Sequence, residues 1–119
     1  EDAAIQAPQD AHRRGAGAVL GFVIYGQFRN GPGYAHTMEH SIHVAEAARA
    51  AGLGRALMTA AEDHARAAGI HSMIAGVAGE NAGGAGFHAA LGYQVIARLP
   101  EVGWKFGRWH DLVLMQKML

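Results

Sequence analysis

The chain has 119 residues, half of them hydrophobic, and its ten basic side chains balance ten acidic ones. That length suits one compact domain, and a neutral, apolar-rich composition excludes a disordered chain and offers no basic footprint for nucleic acid. Cysteine is absent, which excludes disulfides and thiol catalysis, and no apolar run approaches the length of a membrane span. The expectation is a cytoplasmic protein without nucleic-acid or membrane partners. The chain opens on Glu1 rather than Met, as a processed or truncated product would.

In chain order, the patch Ala3-Ala4-Ile5 reads as a modest edge strand, and residues 7–17, APQDAHRRGAG, as a loop. Residues 18–28, AVLGFVIYGQF, have the Val, Ile, Phe and Tyr content of a buried strand, and RNGPG at 29–33 reverses the chain into an antiparallel hairpin. Residues 34–44 alternate. Met38, His40, Ile42 and Val44 fall on one face, Thr37, Glu39, Ser41 and His43 on the other. From Leu53 the period becomes helical, with Leu53, Leu57, Ala60, Ala61, Ala65 and Ala68 in a stripe and Gly69 as the stop. Residues 71–79 return to strand composition, and 81–91, NAGGAGFHAAL, read as a short helix weakened by glycine and ended by Gly92. YQVIARL begins another strand, VGWKFGRWH at 102–110 reads as an aromatic loop, and DLVLMQKML closes the chain as a strand. The order is β-β-β-α-β-α-β-β, one α+β domain over residues 1–119.

The segment RAAGLGRAL at 49–57 places two glycines where an Ala- and Leu-rich helix begins. Glycine costs a helix interior roughly 1 kcal/mol relative to alanine, so Gly52 and Gly54 need a local reason. A turn needing positive φ or close packing is one. A backbone cradle for phosphate at a helix N-terminus, assisted by Arg49 or Arg55, is the other. The triphosphatase and dinucleotide glycine fingerprints are both missing.

Glu39 is unusual in mid-strand: either its face is solvated, or it lines a cleft whose desolvation would raise its pKa toward that of a general base. His88 reads either as a hydrogen-bonded structural histidine or as a catalytic one. Eight histidines raise the question of a metal, yet HExxH and HxH are absent, and His40 and His43 point to opposite faces of a strand, so no metal is expected. The cluster Trp104, Lys105, Phe106, Arg108, Trp109 and His110 suits a structural loop or a small-anion contact. Arg29 is either a carboxylate clamp or a solvated turn residue.

Taken together, HTMEHSIHV, ARAAGLGRAL, GENAGGAGFHAALGY and EVGWKFGRWHDLVLMQKML resemble the GNAT acetyltransferases, and within them the phosphinothricin and methionine sulfoximine acetyltransferase branch. The resemblance runs from about residue 18 to the C-terminus. It implies a GNAT fold of α+β class: a mixed, mostly antiparallel sheet splayed open between the strand ending at Val44 and the strand carrying Val77, with flanking helices and acetyl-CoA in the opening. It implies that Ile42, His43 and Val44 line the pantetheine, that Arg49, Ala50, Ala51, Gly52, Leu53, Gly54 and Arg55 surround the pyrophosphate, and that Asn81 reaches the pantetheine arm. Glu39 takes the position of the general base and His88 that of a group protonating the thiolate or assisting the base. Arg29 and Tyr34 are expected to contact substrate, a small-molecule amine, and a homodimer is expected.

Three departures accompany the resemblance. Ala35 stands where the branch often has Arg, Gly84 stands for a frequent Ser that would help cap the short helix, and the strand and two helices with which members begin are absent. The implied activity is N-acetylation of a small amino-acid-like amine. The alternatives are a GNAT enzyme for an aminoglycoside, polyamine or protein N-terminus, or a non-catalytic CoA-binding module.

Overall fold

The structure is a computed structural model that describes residues 12–15 and 18–119. The expected strand at residues 3–5 lies outside them. The first described strand, β1 (His12–Gly15), falls in the segment expected to be a loop and pairs antiparallel with β2 (Ala18–Gln27). Backbone pairing with a strongly apolar neighbour overrides the polar composition of HRRG, as edge strands commonly allow.

The hairpin from β2 to β3 (Thr37–Val44) is antiparallel as expected, with Tyr25 opposite His40 and Gly26 opposite Glu39. Its third strand starts later than residue 34, because Pro32 opens a short 3-10 turn over Pro32–Tyr34. A second 3-10 segment, Glu46–Ala51, precedes α1 (Leu53–Ala67). Then follow β4 (Ser72–Ala78), α2 (Ala82–Ala90), β5 (Gln94–Lys105) and β6 (Arg108–Met118). Among the described residues the strands form one sheet in the order β1-β2-β3-β4-β6-β5, and every neighbouring pair except β3–β4 is antiparallel.

The segment expected as an aromatic loop at 102–110 is instead the end of a hairpin. Trp104 pairs with Trp109 and Lys105 with Arg108, and Phe106 and Gly107, both at positive φ, make the two-residue turn. Positive φ at both central residues matches the twist of the flanking strands, so aromatic β-formers continue the ladder up to the turn.

Both helices pack on one face of the sheet. Leu57, Met58, Ala61 and Ala65 of α1 are buried against Val23, Tyr25, Met38, Met73 and Met115. The stripe differs slightly from expectation: Met58 and Glu62 are buried and Ala68 is exposed. Glu62 is held by Tyr93, whose hydroxyl donates to Oε2 at 2.9 Å, and by Lys117 Nζ, which donates to Oε1 at 2.7 Å. That pairing makes a carboxylate tolerable in the core. The other face of the sheet carries Ile24, Thr37, Glu39, Ser41, His43, Ile74, Leu112 and Leu114, as the registers require.

Candidate functional site

The parallel pairing of β3 with β4 is short. It runs from Thr37–Ser72 to His40–Ala75 and then stops, although β3 continues to Val44 and β4 to Ala78. Beyond that point the two strands part, and their facing edges border a cleft of about 870 Å³. This is the opening expected between Val44 and Val77. Glu39, Ile42, His43, Val44, Arg49, Gly52, Gly54, Arg55, Asn81 and His88 all line it.

Other expected positions fall elsewhere. Ala51 and Leu53 are not in the lining, and Leu53 packs half-buried against the core. Ala50 belongs to the 3-10 segment that leads to the cleft rim. Arg29 and Tyr34 sit in the exposed β2–β3 turn, outside the lining, with the guanidinium 5.1 Å from the ring centre.

At the helix-side rim, the two glycines have separate reasons. Gly52 has φ 77°, and a Cβ there would meet no described atom within 4 Å, so its need is conformational. Gly54 is a packing glycine: a Cβ would lie 2.9 Å from Phe87 Cε1. No described side chain caps the N-terminus of α1. Its first turn therefore keeps free N–H groups and the positive end of the helix dipole. Arg55 lies at the same rim, and Arg49 Nε donates to the Val44 carbonyl at 3.1 Å, tying the 3-10 segment to the end of β3.

Asn81 caps α2 by accepting from the Gly84 N–H at 2.8 Å. A Cβ at Gly84 would come within 2.6 Å of Asn81 Nδ2, so glycine at 84 accommodates a cap supplied from Asn81. The helix forms despite its glycines.

Glu39 is half-buried on the face opposite the helices, and burial raises its carboxyl pKa above the ordinary value. The cleft alternative therefore describes it better than a fully solvated face. His88 is buried and both ring nitrogens are engaged: Nδ1 lies 2.8 Å from the Gly84 carbonyl and Nε2 lies 2.9 Å from His40 Nε2. A carbonyl only accepts, so His88 Nδ1 carries a proton. In a neutral pair His88 Nε2 then accepts from His40 Nε2–H, leaving His40 Nδ1 unprotonated. That nitrogen is buried without a hydrogen-bond partner among the described residues.

Burial, with the His88 charge adding to it, lowers the His40 pKa to about 3. Burial also lowers the pKa of His88, against the opposing effects of the Gly84 bond and the Glu62 charge. The His40 partnership was not foreseen in the sequence. Its signal was present, since the alternation of HTMEHSIHV puts His40 on the core face, where a histidine requires a partner.

No helix among the described residues is long and apolar enough to cross a membrane, and none of their His, Asp and Glu side chains form a group of three able to hold a metal.

A sheet parted between two parallel strands, with a glycine-marked helix N-terminus at the opening, is the arrangement that the resemblance to the GNAT acetyltransferases implied. Residues 12–114 match the family described as an acetyltransferase (GNAT) domain, and the chain belongs to that family. It is 43% identical over 103 residues to the L-amino acid N-acyltransferase MnaT of Escherichia coli and 44% identical over 103 residues to the L-methionine sulfoximine/L-methionine sulfone acetyltransferase of Salmonella typhimurium. In both, the alignment covers 87% of this chain and 60% of the relative, so the chain spans less than two thirds of those proteins. A solved phosphinothricin acetyltransferase from Sinorhizobium meliloti, in complex with acetyl-CoA, superposes with a TM-score of 0.79 at 35% identity, over 87% of this chain and 56% of that one.

Proposed function

We propose that the chain is the cosubstrate-binding and catalytic core of an acetyl-CoA-dependent N-acetyltransferase acting on a small amino-acid-like amine of the methionine sulfoximine or phosphinothricin type. The observation that carries the reading is the half-buried Glu39 carboxylate beside the parting of β3 and β4, across from the uncapped N-terminus of α1.

The site suits acetyl-CoA on its own terms. The first turn of α1 with Arg49 and Arg55 would hold the pyrophosphate, and the parted edges of β3 and β4 offer main-chain groups to an extended amide-bearing arm. When bound, acetyl-CoA supplies the acetyl group as a thioester. Glu39 takes the proton of the incoming ammonium, directly or through water, so that the amine lone pair attacks the thioester carbonyl. A carbon–nitrogen bond forms, the carbon–sulfur bond breaks, and the thiolate takes up the second proton, which the attacking nitrogen sheds as it becomes the amide. Main-chain N–H groups on the Ser41–Val44 edge are the available donors for charge developing on the carbonyl oxygen. His88, with both ring nitrogens engaged, serves here as a positioning residue that fixes α2 against β3. Relatives named for L-amino acids and methionine sulfoximine support the acceptor class. The exposed Val102, Trp104, Phe106 and Trp109 of the β5–β6 hairpin support the expected homodimer.

The test is Glu39→Gln. Thiol release from acetyl-CoA in the presence of methionine sulfoximine falls by about 100-fold or more, while acetyl-CoA affinity is unchanged. Full turnover by a variant that still binds acetyl-CoA would remove Glu39 as the base.

A further inference from the structure

Glycine in the interior of a strand weakens it, and at residue 76 it interrupts a strand whose residues Ser72, Met73, Ile74, Ala75 and Val77 are all buried. Backbone conformation is not the reason, because Gly76 is not among the residues at positive φ. It remains hydrogen-bonded to β6 opposite Leu114 and lies one residue past the last pairing of β4 with β3. What a side chain would meet there is specific: an ideal Cβ would lie 2.9 Å from Glu39 Oε2 and 3.5 Å from Leu112 Cδ1. The carboxylate leans along the sheet into the space left by the missing side chain.

We propose that Gly76 is the positioning residue for Glu39, a notch in β4 that seats the carboxylate at the point where β3 and β4 part. The consequence for reaction rests on Glu39 being the base. The seat itself does not.

The closest atom to the added Cβ belongs to the end of a flexible side chain, so the carboxylate would move before the strand did. Around it the same face carries Ile24, Ile74, Leu112 and Leu114 from β2, β4 and β6, and the titratable side chain sharing that face of β3 is His43. Displacing the carboxylate from this apolar surround toward solvent relieves the burial that raises its pKa.

The experiment compares wild type, Gly76→Ala, Glu39→Gln, Glu39→Asp and the two double variants at saturating acetyl-CoA and methionine sulfoximine, alongside the Glu39 carboxyl titration followed by carbon NMR. Gly76→Ala is expected to lower kcat about 10- to 100-fold without changing KM for acetyl-CoA, because displacement by about 1 Å is enough to spoil proton transfer. It is expected to shift the carboxyl titration to lower pH, to add no further loss to Glu39→Gln, and to cost much less beside Glu39→Asp, whose shorter side chain does not reach the notch. An unmoved titration, or the same fold-loss in the Glu39→Gln background as in wild type, would overturn the notch. A moved titration combined with a fully active Glu39→Gln would instead overturn the base and leave the seat standing. Should Gly76→Ala unfold in both the wild-type and Glu39→Asp backgrounds, the site is too tight for the carboxylate to yield and the proposal fails.

Discussion

Replacing His40 by asparagine separates a buried neutral imidazole from everything else that titrates in acid. Asparagine keeps an N–H for His88 Nε2 but has no proton to gain. In the folded chain the His40 pKa lies at about 3, against an ordinary value of 6.5, with burial the larger cause and the His88 charge the smaller. A base whose folded pKa is lowered contributes stability that is present above its unfolded pKa and is lost as pH falls toward the folded one. At about pH 4.5 the unfolded chain protonates this site through about two pH units, worth about 3 kcal/mol, whereas at about pH 7 the term is well under 1 kcal/mol. Wild type should therefore lose about 2–3 kcal/mol more than His40→Asn between those two conditions. Urea unfolding at about pH 7, 5.5 and 4.5 measures it, with the divergence growing by about equal amounts on either side of the middle point. His88 titrates in the same direction but is present in both proteins, so its effect largely cancels. Stability profiles that run parallel within about 0.5 kcal/mol over the whole range would refute the buried neutral pair.

The two glycines before and within α1 should respond differently to alanine. Gly52→Ala should cost about 1–2 kcal/mol in urea unfolding through its positive φ alone, with Gly52→Asn costing less, whereas Gly54→Ala should destabilise only while Phe87 is present and become favourable beside Phe87→Ala. Equal costs for the two in both backgrounds would show that one shared cause governs them. The β5–β6 hairpin exposes Trp104, Phe106 and Trp109, and light scattering of the chain should give a dimer that Trp104→Ser/Trp109→Ser converts to a monomer; a monomeric wild-type chain would refute the expectation.

The elements legible in the sequence are those whose period is set by one buried face. Met38 and His40 alternate with Glu39 because β3 lies between the helices and the opposite sheet face, and Leu57, Ala61 and Ala65 recur because α1 buries one stripe. Where a partner strand supplies the order, composition misleads. HRRG at 12–15 pairs with β2 despite its charge, and Trp104 and Trp109 continue a ladder through a segment whose glycines suggested a loop. The site was legible in part for the same reason: Glu39 and His88 stand out as residue types in unexpected places. The contacts that give them meaning lie far apart in sequence, 48 residues for His40 with His88 and 37 for Glu39 with Gly76. No local pattern encodes such a pair. The resemblance placed the cleft, and the fold assigned Arg29 and Tyr34 to an exposed turn outside it.

The parting of β3 from β4 explains why one strand can serve two surfaces. While the strands are paired, alternate residues are committed to opposite faces: His40 to the helix side and Glu39 to the other. Past Ala75 the ladder ends, and the cleft draws on both faces at once, with Ile42, Val44 and His88 from the helix side and Glu39, Ser41 and His43 from the other. A continuous parallel ladder would have satisfied every main-chain group there and left no opening. Glycine at 76 belongs to the same economy of space, since a side chain at that position would meet the carboxylate beside the opening. The local loss of sheet pairing thus leaves the helix N-terminus and the carboxylate on the lining of one cleft.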